Sequence, residues 1–247
     1  MAPLTTAASG DQSPRSGSSA KPSRPTGRRS ASASSKRNAG SRLFRFDREL
    51  GFRFVAGADE AGRGCLAGPL VAAAVLFDYE TLSLSDRRAL SALNDSKQHT
   101  LEMRELLYPR VLRAAVRVSV TSRCVRGIDE RGLHKTNLAA LSDVLRRVGE
   151  VGGIHLSDGF AVPDCGFEQR HVVGGDARSA AIAAASVIAK VTRDRFMQRM
   201  EARYPGWEFG AHVGYSTPEH RAAIQRLGVS PLHRLSFQSA AYQQLAL

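Results

Sequence analysis

Phe52-Arg-Phe-Val-Ala-Gly-Ala-Asp-Glu-Ala-Gly-Arg-Gly-Cys-Leu-Ala-Gly-Pro-Leu-Val-Ala-Ala-Ala-Val-Leu-Phe77 holds two apolar runs joined by a glycine-rich turn. Phe54, Val55 and Ala56 lead through Gly57 into a short buried strand that ends at Asp59. Leu70 to Phe77 is a continuous apolar run and predicts a second strand. Working outward, Val116, Val118 and Val120 alternate with Arg117 and Ser119, a third strand with one wet face. Lys135 to Val148 has its apolar residues at helical spacing, while Ile154–Ser157 and His171–Val173 are short strands before loops. A long helix is predicted from Arg178 to Arg203, with small residues from Ala180 to Ala185 that allow close packing on a sheet. Thr217-Pro-Glu-His220 has the hydroxyl cap and early proline of a last helix. The pattern is that of an α/β domain.

The chain has 247 residues and a formal charge of +12, which points to a polyanionic partner but to no activity. Residues 1–42 are rich in Ser, Ala and Pro and lack aromatic residues; they carry eight basic groups against Asp11 alone. Burying almost nothing, such a segment cannot offset its ordering entropy, so a disordered basic tail is expected over 1–42 and a folded domain over 43–247. An organelle transit peptide is the alternative for this leader, although no amphipathic apolar face is visible. Cys65, Cys124 and Cys165 are too scattered for a disulfide framework or zinc site, which favours a reducing, cytoplasmic setting. No apolar run is long enough to span a bilayer, so no membrane partner is expected.

Asp59 and Glu60 close the first strand, followed by Ala61-Gly62-Arg63-Gly64. Neighbouring strand residues point to opposite faces, so both acids meet one site only if the chain leaves the strand there. Two anions held together resist joint ionisation unless a cation neutralises them, and oxygen ligands favour a hard divalent ion. A surface Asp-Glu pair in a turn is the plainer reading. Gly62, Arg63 and Gly64 add exposed N–H groups and a guanidinium, suited to a phosphodiester close to the main chain. Asp158 again ends a strand before a glycine, and Asp176 precedes the long helix, where it could also serve as an N-cap. P-loop, dinucleotide and nucleophile-elbow motifs are absent, and the histidines lack zinc-ligand spacing.

The run Gly57–Val75 resembles the signature of bacterial ribonuclease HII. Leu93–Lys97, Ser157-Asp-Gly159, Gly175-Asp176, Ala183–Asp194, His212–Thr217 and His233–Phe237 follow in that family's order, over roughly residues 52–240. The resemblance implies an RNase H-like fold, with a central mixed β-sheet flanked by helices and a C-terminal helical extension. It implies endonucleolytic cleavage of the RNA strand of RNA·DNA hybrids and incision 5′ to single ribonucleotides in duplex DNA, within ribonucleotide excision repair and replication. Asp59, Glu60, Asp158 and Asp176 correspond to the catalytic, metal-binding carboxylates. Gly62, Arg63 and Gly64 correspond to the motif that reads the ribonucleotide 2′-OH and its phosphate, and Tyr215 to a tyrosine stacking at the RNA–DNA junction. Lys97 and Lys190 would lie near the substrate backbone or hold carboxylates in place. Two Mg²⁺ or Mn²⁺ ions, roughly 3.5 to 4 Å apart in such sites, would activate water and stabilise the departing 3′-oxygen, leaving 5′-phosphate and 3′-hydroxyl ends. A monomer is expected from the same resemblance; no replication-machinery partner can be read.

Three positions depart from the family's usual pattern: Cys65 stands in place of proline, Phe160 follows Ser157-Asp-Gly159 where asparagine is common, and Val213 replaces a lysine. Phe160 puts the loop geometry in question, and Val213 removes a candidate phosphate contact. Asp194 is read as a salt-bridge residue and Cys65 as a small core thiol. Two other classes compete: a nucleic-acid-binding module without catalysis, and a DNA nuclease on the same fold, for which the pairing of Gly62-Arg63-Gly64 with Tyr215 has no evident use.

Overall fold

A computed structural model describes residues 31–94, 99–237, 239 and 242, with side chains from residue 40 onward. The two apolar runs form β1 (Phe54–Ala61) and β2 (Leu70–Asp78), paired antiparallel from Phe54↔Asp78 to Ala61↔Val71. β3 (Arg117–Arg123) pairs antiparallel with β2, and β4 (Ile154–Asp158) lies parallel to β1. β5 (Gln169–Val172) lies parallel to β4, so the five-stranded mixed sheet has the order β3-β2-β1-β4-β5. Reversal of direction at β1 leaves a crevice at the ends of β1 and β4, the usual place for a ligand in such sheets.

Helices precede and follow these strands: α1 (Ala31–Glu49), α2 (Leu84–Ala89), α3 (Leu101–Ala114), α4 (Val125–Arg131), α5 (Leu133–Val148), α6 (Ala180–Arg203), α7 (Phe209–His212) and α8 (Pro218–Leu227). The sheet is covered on both faces. Val71, Ala73, Val75 and Phe77 of β2 join a core with α6, whereas Ala72, Ala74 and Leu76 join Leu141, Val144 and Leu145 of α5. That period-2 division explains why β2 is apolar throughout. The small residues of α6 bring its backbone onto β1: a Cβ at Gly57 would lie 2.2 Å from the carbonyl carbon of Ala181 and the nitrogen of Ile182. Ser179 caps α6 by accepting from the Ile182 N–H, and Thr217 caps α8 by accepting from His220 N–H.

α1 starts at Ala31 and runs across residue 42, where the sequence places the edge of the domain. Gly40 is buried against Ser91, whose carbonyl oxygen would lie 2.5 Å from an added Cβ. Leu43 and Phe44 join the main core. Asp47, fully buried, accepts from Tyr79 Oη at 2.8 Å and from Ala181 N at 2.9 Å, tying α1 to the start of α6. Residues 1–30 of the expected tail lie outside the described residues.

Candidate active site

Three expected acids arrive from three elements. Asp59 comes near the end of β1, Asp158 ends β4, and Asp176 sits in the 3-10 turn Gly175–Ala177 just before α6. One carboxylate oxygen from each lies within 4.8 Å of the others. Asp158 Oδ1 accepts from Gly175 N at 2.7 Å, which joins β4 to the turn carrying Asp176. Because Ser179 caps α6, Asp176 is not the N-cap. Asp59 Oδ1 accepts from Glu60 N at 2.7 Å, and the Ser186 hydroxyl on α6 also bonds Asp59. Burial, then the charges of Glu60 and Asp158, push the Asp59 carboxyl well above its ordinary range, with the Ser186 bond opposing.

Glu60 behaves differently. β1 continues in register through Ala61, so Glu60 leaves the strand on the face opposite Asp59 and stays outside the group of three. It still lines the same cleft, with Oε1 4.0 Å from Arg63 Nη1. A cleft of about 320 Å³ collects Asp59, Glu60, Asp158, Gly62, Arg63, Gly64, Tyr215 and Lys190. Lys190 Nζ lies 2.8 Å from Asp194 Oδ1 and 4.9 Å from the Tyr215 ring centroid, so Asp194 has the ion-pair role expected of it. Lys97 lies outside the described residues. The donor set is all carboxylate, with Asp59 and Asp176 buried and Asp158 half-buried beside the further charge of Glu60, which fits a hard divalent cation such as Mg²⁺ or Mn²⁺ and disfavours soft metals.

Phe160 supplies a surface for the loop: the Arg63 guanidinium carbon lies 4.5 Å from its ring centroid. Gly62 has φ +86°, and a Cβ there would lie 1.9 Å from Arg193 Nε, so both turn and packing exclude a side chain. Sequence reasoning missed two fully buried arginines behind this loop. Arg193 donates to the carbonyls of Ala67 and Pro69, both at 2.9 Å, and of Val213 at 2.8 Å. Arg234 donates to Gly68 O at 2.8 and 3.0 Å and to Arg63 O at 3.0 Å, and burial pushes its pKa down to about 10. The signal for Arg193 was its place four residues after Ala189 and four before Met197, on the buried stripe of α6. Val213 takes a left-handed φ of +44° and serves through its carbonyl. Cys65 is a fully buried thiol, with its pKa raised by desolvation.

A second feature went unread, three clustered histidines linked to the Tyr215 carbonyl. His233 Nδ1 accepts from Ser230 N at 2.8 Å, which leaves its Nε2–H to donate to His220 Nε2 at 3.1 Å. His220 Nδ1–H then donates to the Tyr215 carbonyl at 2.8 Å. The His212 ring stacks on His220 with centroids 4.0 Å apart. Burial lowers the pKa of both His220 and His233 to about 4, keeping those two rings neutral.

Residues 56–240 match the family described as Ribonuclease HII. The chain belongs to the ribonuclease HII family. Ribonuclease HII of Geobacillus kaustophilus is 45% identical over 198 residues, covering 79% of this chain and 73% of that protein. Ribonuclease HII of Mycobacteroides abscessus is 46% identical over 188 residues, covering 76% and 78%. The crystal structure of ribonuclease H2 from Pyrococcus horikoshii OT3 is similar with a TM-score of 0.65 and 26% identity, over 78% of this chain and 96% of that one. As a member of this family, the chain is a metal-dependent ribonuclease H, a hydrolase with an RNase H-like fold, and the family acts on RNA–DNA hybrids. Among the described residues no helix is long and apolar enough to cross a membrane.

Proposed function

We propose that this enzyme cleaves the RNA strand of RNA·DNA hybrids and nicks duplex DNA on the 5′ side of a single embedded ribonucleotide. The observation that carries this reading is one cleft lined by Asp59 and Asp158, two of the three converging carboxylates, together with the Gly62-Arg63-Gly64 loop and Tyr215. Pure DNA cleavage needs the acids but has no use for a main-chain loop placed to sense a 2′-hydroxyl.

Asp59, Asp158 and Asp176 would hold two divalent cations, Mg²⁺ or Mn²⁺, with Glu60 supporting from the edge of the cleft. Bound there, such ions supply Lewis-acid activation of water and neutralise charge on the departing oxygen. The water oxygen joins phosphorus as the P–O3′ bond breaks; a water proton ends on the 3′-oxygen, giving 3′-hydroxyl and 5′-phosphate ends. Ser186 and the Glu60 N–H hold Asp59 in one rotamer. The Gly62 and Gly64 main chain faces the ribose, and Arg63, braced on Phe160, meets the phosphate bidentately. Tyr215, 40% exposed, offers its ring to the base pair at the junction, while Lys190 orients that ring and lies near the backbone phosphates.

We assign catalysis to the body that begins with α1, and to residues 1–30 the role of a basic arm that strengthens binding without setting the cut. The enzyme works as a monomer in the cytoplasm in this scheme.

Asp59→Asn and Asp158→Asn test the site. Each is expected to abolish Mg²⁺-dependent nicking while the circular dichroism spectrum and thermal midpoint stay near those of the parent. Near-normal rates in either variant would remove that carboxylate from the site.

A further inference from the structure

Four arginines gather outside the catalytic cleft, around a groove of about 590 Å³ between α1 and α2. Arg45 and Arg48 come from α1, Arg87 and Arg88 from α2, and Glu49 is the only acid lining it. Arg45, Arg48 and Arg88 are exposed, and among the described residues none of the four arginines forms an ion pair. Arg87 is held by donating to Leu82 O at 3.2 Å. Like charges crowded on adjoining helices repel, so the cluster costs stability unless a counter-charge comes from outside the chain. Guanidinium forks match phosphate oxygens bidentately, and a cluster of them with one acid suits a polyanionic backbone. Residues 1–49 contain ten Lys and Arg against three acids, one of them the buried Asp47, so the groove lies on the most basic stretch of the chain.

The groove is separate from the cleft. No residue lines both places.

We propose that the α1–α2 groove is a second, sequence-independent binding site for the phosphate backbone of duplex nucleic acid, which holds a segment other than the one being cut. It would keep the enzyme on DNA between incisions. This goes beyond the cleavage reading and does not depend on it.

The test is binding of a short all-DNA duplex to the full chain across a range of salt concentrations. The combined variant Arg45→Gln, Arg48→Gln, Arg88→Gln is compared with an equal-charge control, Arg113→Gln, Arg147→Gln, Arg199→Gln. Each released phosphate contact lowers the slope of log K against log salt by about 0.9, so the groove variant should lose about 2 to 3 in slope. The control should lose less than about 1, and nicking of a saturating ribonucleotide-containing duplex should be unchanged in both. Equal slopes in the two variants, or a groove variant indistinguishable from the parent, would overturn the proposal. Because the ligand contains no ribonucleotide, failure to nick would count against the cleavage reading alone.

Discussion

His220 Nε2 lies 3.1 Å from His233 Nε2, and the proton between them belongs to His233, because Ser230 N already donates to His233 Nδ1. The relay ends on the Tyr215 carbonyl. Removing His220 therefore frees the segment that presents the Tyr215 ring to the cleft. His220→Ala is expected to cost ~1 to 3 kcal/mol of stability, from the buried bonds it leaves unmade. It should also lower the nicking rate at a single ribonucleotide. In a Tyr215→Ala background the same change should cost stability but no further activity, since both act through one ring. Fully additive losses of activity in the double variant would contradict this coupling.

The buried rings also set a pH dependence. Both histidines have pKa values lowered to about 4, so their folded state favours the neutral form. Between the unfolded value near 6.5 and about 4, the unfolded chain binds more protons. Their contribution is complete above pH 6.5 and is lost as pH falls toward 4. Asp47 works in the opposite sense: burial raises it to about 6, so it costs stability as pH rises from about 4 to 6. Asp47→Asn keeps an acceptor for Tyr79 and Ala181 but cannot ionise. Its urea midpoint should fall more steeply than the parent's as pH drops from 6 to 4.5; parallel curves would show that Asp47 ionises normally.

Arg193 satisfies three loop carbonyls at once. Arg193→Met leaves them buried without donors and should cost ~3 kcal/mol or more. Arg193→Lys, which keeps the charge but not the fork, should recover only part of that loss. Chemical denaturation reads both, and a lysine variant as stable as the parent would argue that charge alone suffices.

Phe160 braces Arg63 from below. Phe160→Ala should raise KM for ribonucleotide-containing duplex several-fold while kcat changes little, because the carboxylates are untouched. A fall in kcat with constant KM would assign Phe160 to the chemical step instead.

Periodicity found all five strands and the helices α5, α6 and α8, because each has a clean apolar pattern or a capped start. It missed α1, whose N-terminal half is polar, and whose place is fixed by tertiary contacts: the close approach of Gly40 to Ser91 and the buried Asp47. Asp59, Asp158 and Asp176 were legible as acids at element ends. Their convergence was not, since it depends on the parallel pairing of β1 with β4 and on the bond from Gly175 to Asp158. Glu60 follows the strand alternation expected of a neighbour of Asp59, yet it lines the same cleft and its charge acts on Asp59. Arg193, Arg234 and the histidines stayed hidden because buried polar residues announce themselves only by their partners.

The most direct measurement compares two duplexes that differ by one 2′-hydroxyl, a single ribonucleotide against its deoxy counterpart, with Mg²⁺ and with EDTA. The account predicts one nick on the 5′ side of the ribonucleotide, leaving 3′-hydroxyl and 5′-phosphate ends. No product should form from the all-DNA duplex or in EDTA. Equal cutting of both duplexes, or cutting that survives EDTA, would contradict it.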